Sequence, residues 1–313
     1  MDKIALIIAT KDRPAELKRL LSSLNAQTEF IEQVIIVDSS SFQKRKPFPR
    51  RKEKILRIDY FSFDIPSTSQ QRNFGMTRVA PDVSWVGFLD DDVVFDPKAI
   101  EEMKKALRKL KDDDKIGGLG FNQINHPPLE FQRFKEFPLV KKIGLYHRQK
   151  GVVLPTGFQT LIGTVTQDVE VEWLPSGAVL WKKDILANHF FDDWFSGYGY
   201  LEDLDFSYAL GKKYKLMVIA AAKYYHFPAP SGRGSPLVFG RREVLNRIYF
   251  VHKHQELSLF RCYLALLVRF KMSLFLGIKR RNFQFWLRAL GNLWGFVESF
   301  PIALLRHEKK CEY

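Results

Sequence analysis

Three stretches, KIALIIAT (3–10), EQVIIVDSS (32–40) and SWVGFLDDD (84–92), are apolar almost throughout and end on hydroxyls or carboxylates. A strand wetted on one face alternates apolar and polar residues, so these three read as covered on both faces. What covers them is written between them. DRPAELKRLLSSLNAQ (12–27) carries Leu17, Leu20, Leu21 and Leu24 at helical spacing, with Pro14 suited to the first turn and Asp12 placed to cap it. KILRIDYF (54–61) reads as a further strand and STSQQRNFGMTRVA (67–80) as a helix. DPKAIEEMKKALRKLK (96–111) is an amphipathic helix with acids early and lysines late, as the helix dipole prefers. This alternation restricts the chain to an α/β fold with a mainly parallel sheet and helices on both faces.

Sheets of this Rossmann-like kind bind ligands beyond the carboxyl ends of their strands. Thr10, Asp38 and Asp90 to Asp92 all fall there, so residues far apart in sequence share one rim. The three consecutive aspartates pose the sharpest question, because adjacent like charges repel. A turn or a helix cap accounts for one or two of them. A cation accounts for all three. Hard divalent ions such as Mg²⁺ take oxygen ligands and bridge carboxylates to nucleotide phosphates. On an extended chain Asp90 and Asp92 point to one side and can share an ion, with Asp91 directed elsewhere.

Several segments, in order along the chain, resemble the family 2 glycosyltransferases. ATKDRP (9–14) is similar to that family's T-x-x-R-type turn after the first strand, and VIIVDSS (34–40) to its aspartate-ended second strand. Arg72-Asn73-Phe74-Gly75 resembles its R-N-x-G segment, and FLDDD (88–92) its metal-binding D-x-D. SGAVLWKKDIL (176–186) is similar to its small-residue acceptor segment, and Glu202-Asp203-Leu204-Asp205 to its E-D-x-D helix start. Each motif is short, and their order and spacing make the set specific. The likeness runs over about residues 3 to 230. One departure is Asp38-Ser39-Ser40, where the family often has two acids and a glycine.

The resemblance implies a GT-A fold and transfer of a sugar, with inversion, from a nucleoside diphosphate to a hydroxyl. Asp90, Asp92 and His226 are then the candidate ligands for Mn²⁺ or Mg²⁺, although a lone histidine near a strand end is equally readable as structural. Thr10, Arg13, Asp38, Arg72, Asp90 and Asp91 are candidates for the nucleotide side, with a surface salt bridge as the other reading of Arg72. Asp203 is the implied general base, and Gly177, Trp194 and Glu202 border the acceptor. Acids opening a helix are also what its dipole favours. The glycines and aromatics of WFSGYGY (194–200) suit close backbone approach and a sugar face.

The net charge of +14 is unevenly spread. Residues 232–313 hold fifteen Lys and Arg against five Asp and Glu, and QKRKPFPRRKEK (43–54) is a second basic run. Such asymmetry calls for an anionic partner. LSLFRCYLALLVRFKMSLFLGIK (257–279) places Arg261, Arg269, Lys271 and Lys279 within one arc, with Leu, Phe and Val around the remainder. FQFWLRALGNLWGFVESF (283–300) sets Gln284, Arg288, Asn292 and Ser299 opposite Trp286, Leu290, Leu293 and Val297. Helices lying in an anionic membrane interface have this pattern, and so do helices packed on protein. The expected organisation is a catalytic domain over 1–231, with 1–120 binding the donor and 121–231 the acceptor, then a basic helical extension over 232–313.

The short IALIIA run lacks the features of a signal peptide. With two cysteines in no metal spacing, the expected place is the cytoplasm, at the inner face of the membrane, acting on a lipid-linked or cell-envelope glycan. Two alternatives compete. A sugar-phosphate nucleotidyltransferase opens with a glycine-rich loop, which ATKDRPAEL lacks. A non-catalytic basic protein binding membrane or nucleic acid leaves the aspartates unexplained, and for nucleic acid they would repel phosphate. No nucleic-acid partner is therefore expected.

Overall fold

The computed structural model describes residues 2–41, 52–126, 144–195, 197, 199–228 and 234–300, so most of the basic run at 43–54 lies outside the described residues. The chain forms two compact units, one of 1–127 with 162–229 and one of 128–161 with 230–313.

In the first unit β1 (Ile4–Thr10), α1 (Pro14–Asn25), β2 (Gln33–Asp38), β3 (Ile58–Ser62), α2 (Thr68–Met76) and β4 (Trp85–Asp90) alternate as the sequence predicts. β5 (Val93–Phe95), α3 (Ala99–Lys109), β6 (Ile116–Gln123), β7 (Val169–Val171), β8 (Ala178–Lys182), α4 (Glu202–Gly211) and β9 (Lys215–His226) follow. Among the described residues nine strands form one sheet in the order β3-β2-β1-β4-β8-β6-β9-β5, with β7 also on β9. The half from β3 to β4 is parallel, whereas β8 runs antiparallel to both β4 and β6. This is the α/β, GT-A-like architecture expected.

Alternation along β1 assigns the two faces. Ile4, Leu6 and Ile8 join the core beneath α1 and α3, with Leu17, Leu20, Leu21 and Met103. Ile7 points the other way, to α2, and there Gly75 permits contact: a Cβ on it would stand 2.4 Å from Ile7 Cγ2. On the same side, Phe191 stacks on Phe206 of α4 and Phe88 meets both rings edge-on.

Two local details differ from the sequence pattern. α1 starts at Pro14 without a side-chain cap, because Asp12 takes a left-handed φ of 56° and its N–H donates to Ser40 Oγ at 2.6 Å. Asp12 thus ties the β1 turn to the end of β2. β3 begins at Ile58 because Ile55 is spent on a single bridge to Ile31.

Among the described residues the second unit contributes α5 (Pro236–Lys253), α6 (Leu259–Lys279) and α7 (Phe283–Glu298). The sequence pattern predicts α6 and α7 but not α5, whose buried residues include charged Glu243 and Arg247. α7 meets α5 backbone to backbone: a Cβ on Gly291 would lie 2.0 Å from the Leu237 carbonyl oxygen, and one on Gly295 2.7 Å from that of Arg241. Glu243, 1% exposed, accepts hydrogen bonds from Arg269 of α6 (2.9 Å) and from Arg288 (2.8 Å) and Asn292 (3.3 Å) of α7. Burial alone would raise its carboxyl, but the two guanidinium groups outweigh burial and hold it down at about 2.

Two outcomes are expected. Gly75→Ala should destabilise the first unit by about 1–3 kcal/mol in denaturant titration, since the added carbon lands on a fully buried side chain. Because the folded Glu243 carboxyl lies below its ordinary 4.5, its contribution is complete above that pH and fades as pH falls towards 2. The acid limb of a melting-temperature profile should therefore flatten across that window in Glu243→Gln.

Candidate functional site

The parallel register carries the ends of β1, β2 and β4 to one rim, with Thr10 beside Asp38 and Ala9 beside Asp90. β9 arrives antiparallel to β5, so His226 pairs with Val93, next to Asp92. Asp90 ends its strand, and Asp91 and Asp92 form a turn rather than continuing the extended chain. The turn still gathers ligands. One donor atom each from Asp90, Asp92 and His226 lies within 4.8 Å of the others, and His226 Nε2 is 3.0 Å from Asp92 Oδ1. Two carboxylates and one imidazole, partly open to solvent, fit the oxygen-and-nitrogen coordination of Mn²⁺ or Mg²⁺.

Asp91 does something different. Its carboxylate is buried, accepts from Thr10 Oγ1 at 2.7 Å and from Arg13 Nη1 at 3.0 Å, and thereby locks the β1 turn to the β4 tip. Burial raises it to about 6 against the opposing pull of Thr10 and Arg13. Arg13 also lies 3.6 Å from Asp92. Asp38 is held at both oxygens, by the Ser40 N–H (2.7 Å) and the Tyr60 hydroxyl (2.6 Å).

Arg72 projects from α2 and is 2% exposed, so it is no surface salt bridge. Its Nη2 donates to Asp90 Oδ1 at 2.9 Å, its Nη1 to Glu202 Oε1 at 3.0 Å, and its guanidinium lies over the Phe191 ring. One cation therefore joins the aspartate cluster to the start of α4. Burial and the neighbouring Asp203 push Glu202 up to about 8, with Arg72 opposing. Burial also raises Asp203, against the Leu204 N–H donated to it and the charge of Arg72. The two acids share one electrostatic site with Asp90.

Residues around Arg72 and the rim fix this arrangement. Asn73 exchanges two hydrogen bonds with the Phe191 backbone, and Ser69 Oγ donates to the Phe195 carbonyl. The Gln71 amide donates to the carbonyls of Thr10 and Val37, bridging two strand ends. Trp194 stands exposed on the 3₁₀ turn Asp193–Phe195 that these bonds support. Gly177 borders Asp90, whose N–H it receives and whose Oδ2 a Cβ would meet at 3.1 Å. Leu201, just before Glu202, adopts φ 78°, a strained conformation for a branched residue. Tyr60, Gln71 and Phe191 were not singled out by motif. The β2–β3 pairing, which sets Tyr60 diagonally from Asp38, could have indicated the first.

Comparison with known proteins bears on the family and the fold. Residues 5–162, half of the chain, match the family described as Glycosyl transferase family 2. An uncharacterized glycosyltransferase of Haemophilus influenzae is 30% identical over 132 residues, 40% of this chain and 38% of that protein. The match thus spans well under half of that relative. The structure of S. aureus TarS in complex with UDP-GlcNAc superposes with a TM-score of 0.50 at 16% identity, covering 96% of this chain and 92% of the other. A further S. aureus TarS structure gives 0.48 at 13% identity, over 80% of this chain and 42% of that one. The chain belongs to glycosyl transferase family 2.

Proposed function

We propose that the protein transfers a sugar, with inversion, from a nucleoside-diphosphate sugar to a hydroxyl of a lipid-linked or cell-envelope glycan. The observation that carries this reading is the Arg72 bridge, which joins Asp90, one of the candidate metal ligands, to Glu202 beside Asp203, two acids that burial raises. Asp90, Asp92 and His226 would hold Mn²⁺ or Mg²⁺. When bound, that ion offsets the charge on the pyrophosphate leaving group.

The chain's own residues divide the rest of the work. Asp203 takes the proton of the attacking hydroxyl, and burial, by raising its affinity for a proton, supports that role. Glu202, largely protonated at neutral pH, can donate to an acceptor oxygen while Arg72 fixes its position. Thr10, Arg13 and Asp91 form a rigid floor for the nucleotide, and Asp38, fixed by Tyr60 and Ser40, reaches the ribose or base. Trp194 offers an aromatic face to the acceptor, and Gly177 leaves room beside Asp90. A single base opposite the leaving group gives inversion. In this reading the enzyme works at the cytoplasmic face of an anionic membrane. Among the described residues no helix is long and apolar enough to cross one.

UDP-GlcNAc, the ligand in the TarS complex, is the first donor to test, in the presence of Mn²⁺. Asp203→Asn should lower kcat about 10²–10⁴-fold while donor binding by calorimetry is unchanged. Equal loss in binding would point to a structural role instead. The wild-type kcat/KM should rise with pH along a limb centred above the ordinary aspartate value of 3.8. Asp92→Asn should abolish Mn²⁺-dependent nucleoside-diphosphate binding. Absence of turnover with every nucleotide sugar tried would end the proposal.

A further inference from the structure

In the second unit the ordinary distribution of side chains is reversed. Beyond the exposed Gln284 of its first turn, polar residues of α7 face the bundle: Asn292 is 1% exposed and bonded to the Gly240 carbonyl and Glu243, Arg288 reaches Glu243, and buried Ser299, just beyond the helix, meets Tyr263 of α6. The apolar residues face out: Phe283, Leu290, Leu293 and Val297 are exposed, Val297 by 75%. Their spacing of seven, three and four places them on one side of the helix. α6 repeats this arrangement with Phe260 (74%), Leu267, Phe275 and Ile278. The two helices are antiparallel neighbours, Trp286 packing over Gly277 and Tyr263 stacking with Phe296.

The charges are sorted as well. Residues 257–297 contain no Asp or Glu. Of the basic residues there, Arg269 and Arg288 turn to Glu243, so the basic arc of α6 does not all face one way. Lys271 stands within the outward stripe of α6, and Lys279, Arg280 and Arg281 are exposed where α6 meets α7. An apolar surface of this extent seldom faces water without a partner.

We infer that the outward face of α6 and α7 docks in the plane of an anionic lipid bilayer, with the apolar stripes in the acyl boundary and the basic turn among the headgroups. Charge selects this occupant. A second copy meeting face to face would set the same cations against each other, and a nucleic acid would leave the apolar stripes wet. Among the described residues neither helix meets the requirements for crossing a membrane, so both lie in the interface. The inference rests on the membrane partner named above and not on the transfer chemistry.

The test is flotation of the full chain with vesicles of phosphatidylcholine alone or mixed equally with phosphatidylglycerol. Binding is expected only to the anionic vesicles. Substituting Lys279, Arg280 and Arg281 together by Gln should weaken it about 100-fold, and Leu290→Asp with Val297→Asp should abolish it. Circular dichroism and melting temperature should be unchanged, since all five side chains are exposed. The inference is overturned if wild type ignores anionic vesicles or if the Asp variant binds them as wild type does. It is also overturned if wild type is a lipid-free dimer that the Asp pair dissociates. Donor turnover without lipid, measured on the same samples, separates this result from failure of the transfer reading.

Discussion

A buried guanidinium between two acids organises the first unit. Arg72 is almost wholly removed from water, and that is tolerable only because Asp90 and Glu202 each accept one of its N–H groups. The dependence is mutual. Burial first, and then the repulsion of the neighbouring acids, raises Glu202 and Asp203, and the Arg72 charge opposes both effects. Removing one partner of a buried ion pair typically costs about 3–5 kcal/mol because the other is left uncompensated; that applies to Arg72 with Glu202, whereas Asp90, its side chain 38% exposed, is partly relieved by water. The acids can then be crowded as no uncharged scaffold would allow.

Arg72 can play this part because α2 is fixed on every side. Gly75 lets the helix sit against β1, Gln71 ties it to the ends of β1 and β2, and Asn73 and Ser69 hold the segment leading to α4. The strained Leu201 then turns the chain so that Glu202 and Asp203 open α4. Each polar residue of the short Gln71-Arg72-Asn73 run reaches a different element. The geometry of the proposed chemistry is thus set largely by one helix of nine residues.

The parallel half of the sheet was legible because strands covered on both faces announce themselves by unbroken apolar runs. Their acidic ends located the rim, and the resemblance named Asp203, whose place alone reads as an acid favoured by the helix dipole. Other features were not legible, for physical reasons. Asp90 and Asp92 come together through a turn, not through strand alternation, and the Tyr60 contact depends on strand pairing that local pattern does not encode. The second unit misled most. A helical wheel gives the two sides of α6 and α7 but not which one faces inward, and α5 carries its charge in the buried Glu243 and Arg247. There glycine contacts and a buried ion cluster do the packing, leaving the apolar side outward.

The central claim is that Arg72 couples the metal-side and base-side acids into one site. A double-mutant cycle of Arg72→Met and Glu202→Gln, read in both unfolding free energy and sugar-transfer kcat/KM, tests it most directly. The account predicts a coupling of about 1–3 kcal/mol in both readouts, the second substitution costing much less once the first is made. Costs that add to within about 0.5 kcal/mol in both would contradict it.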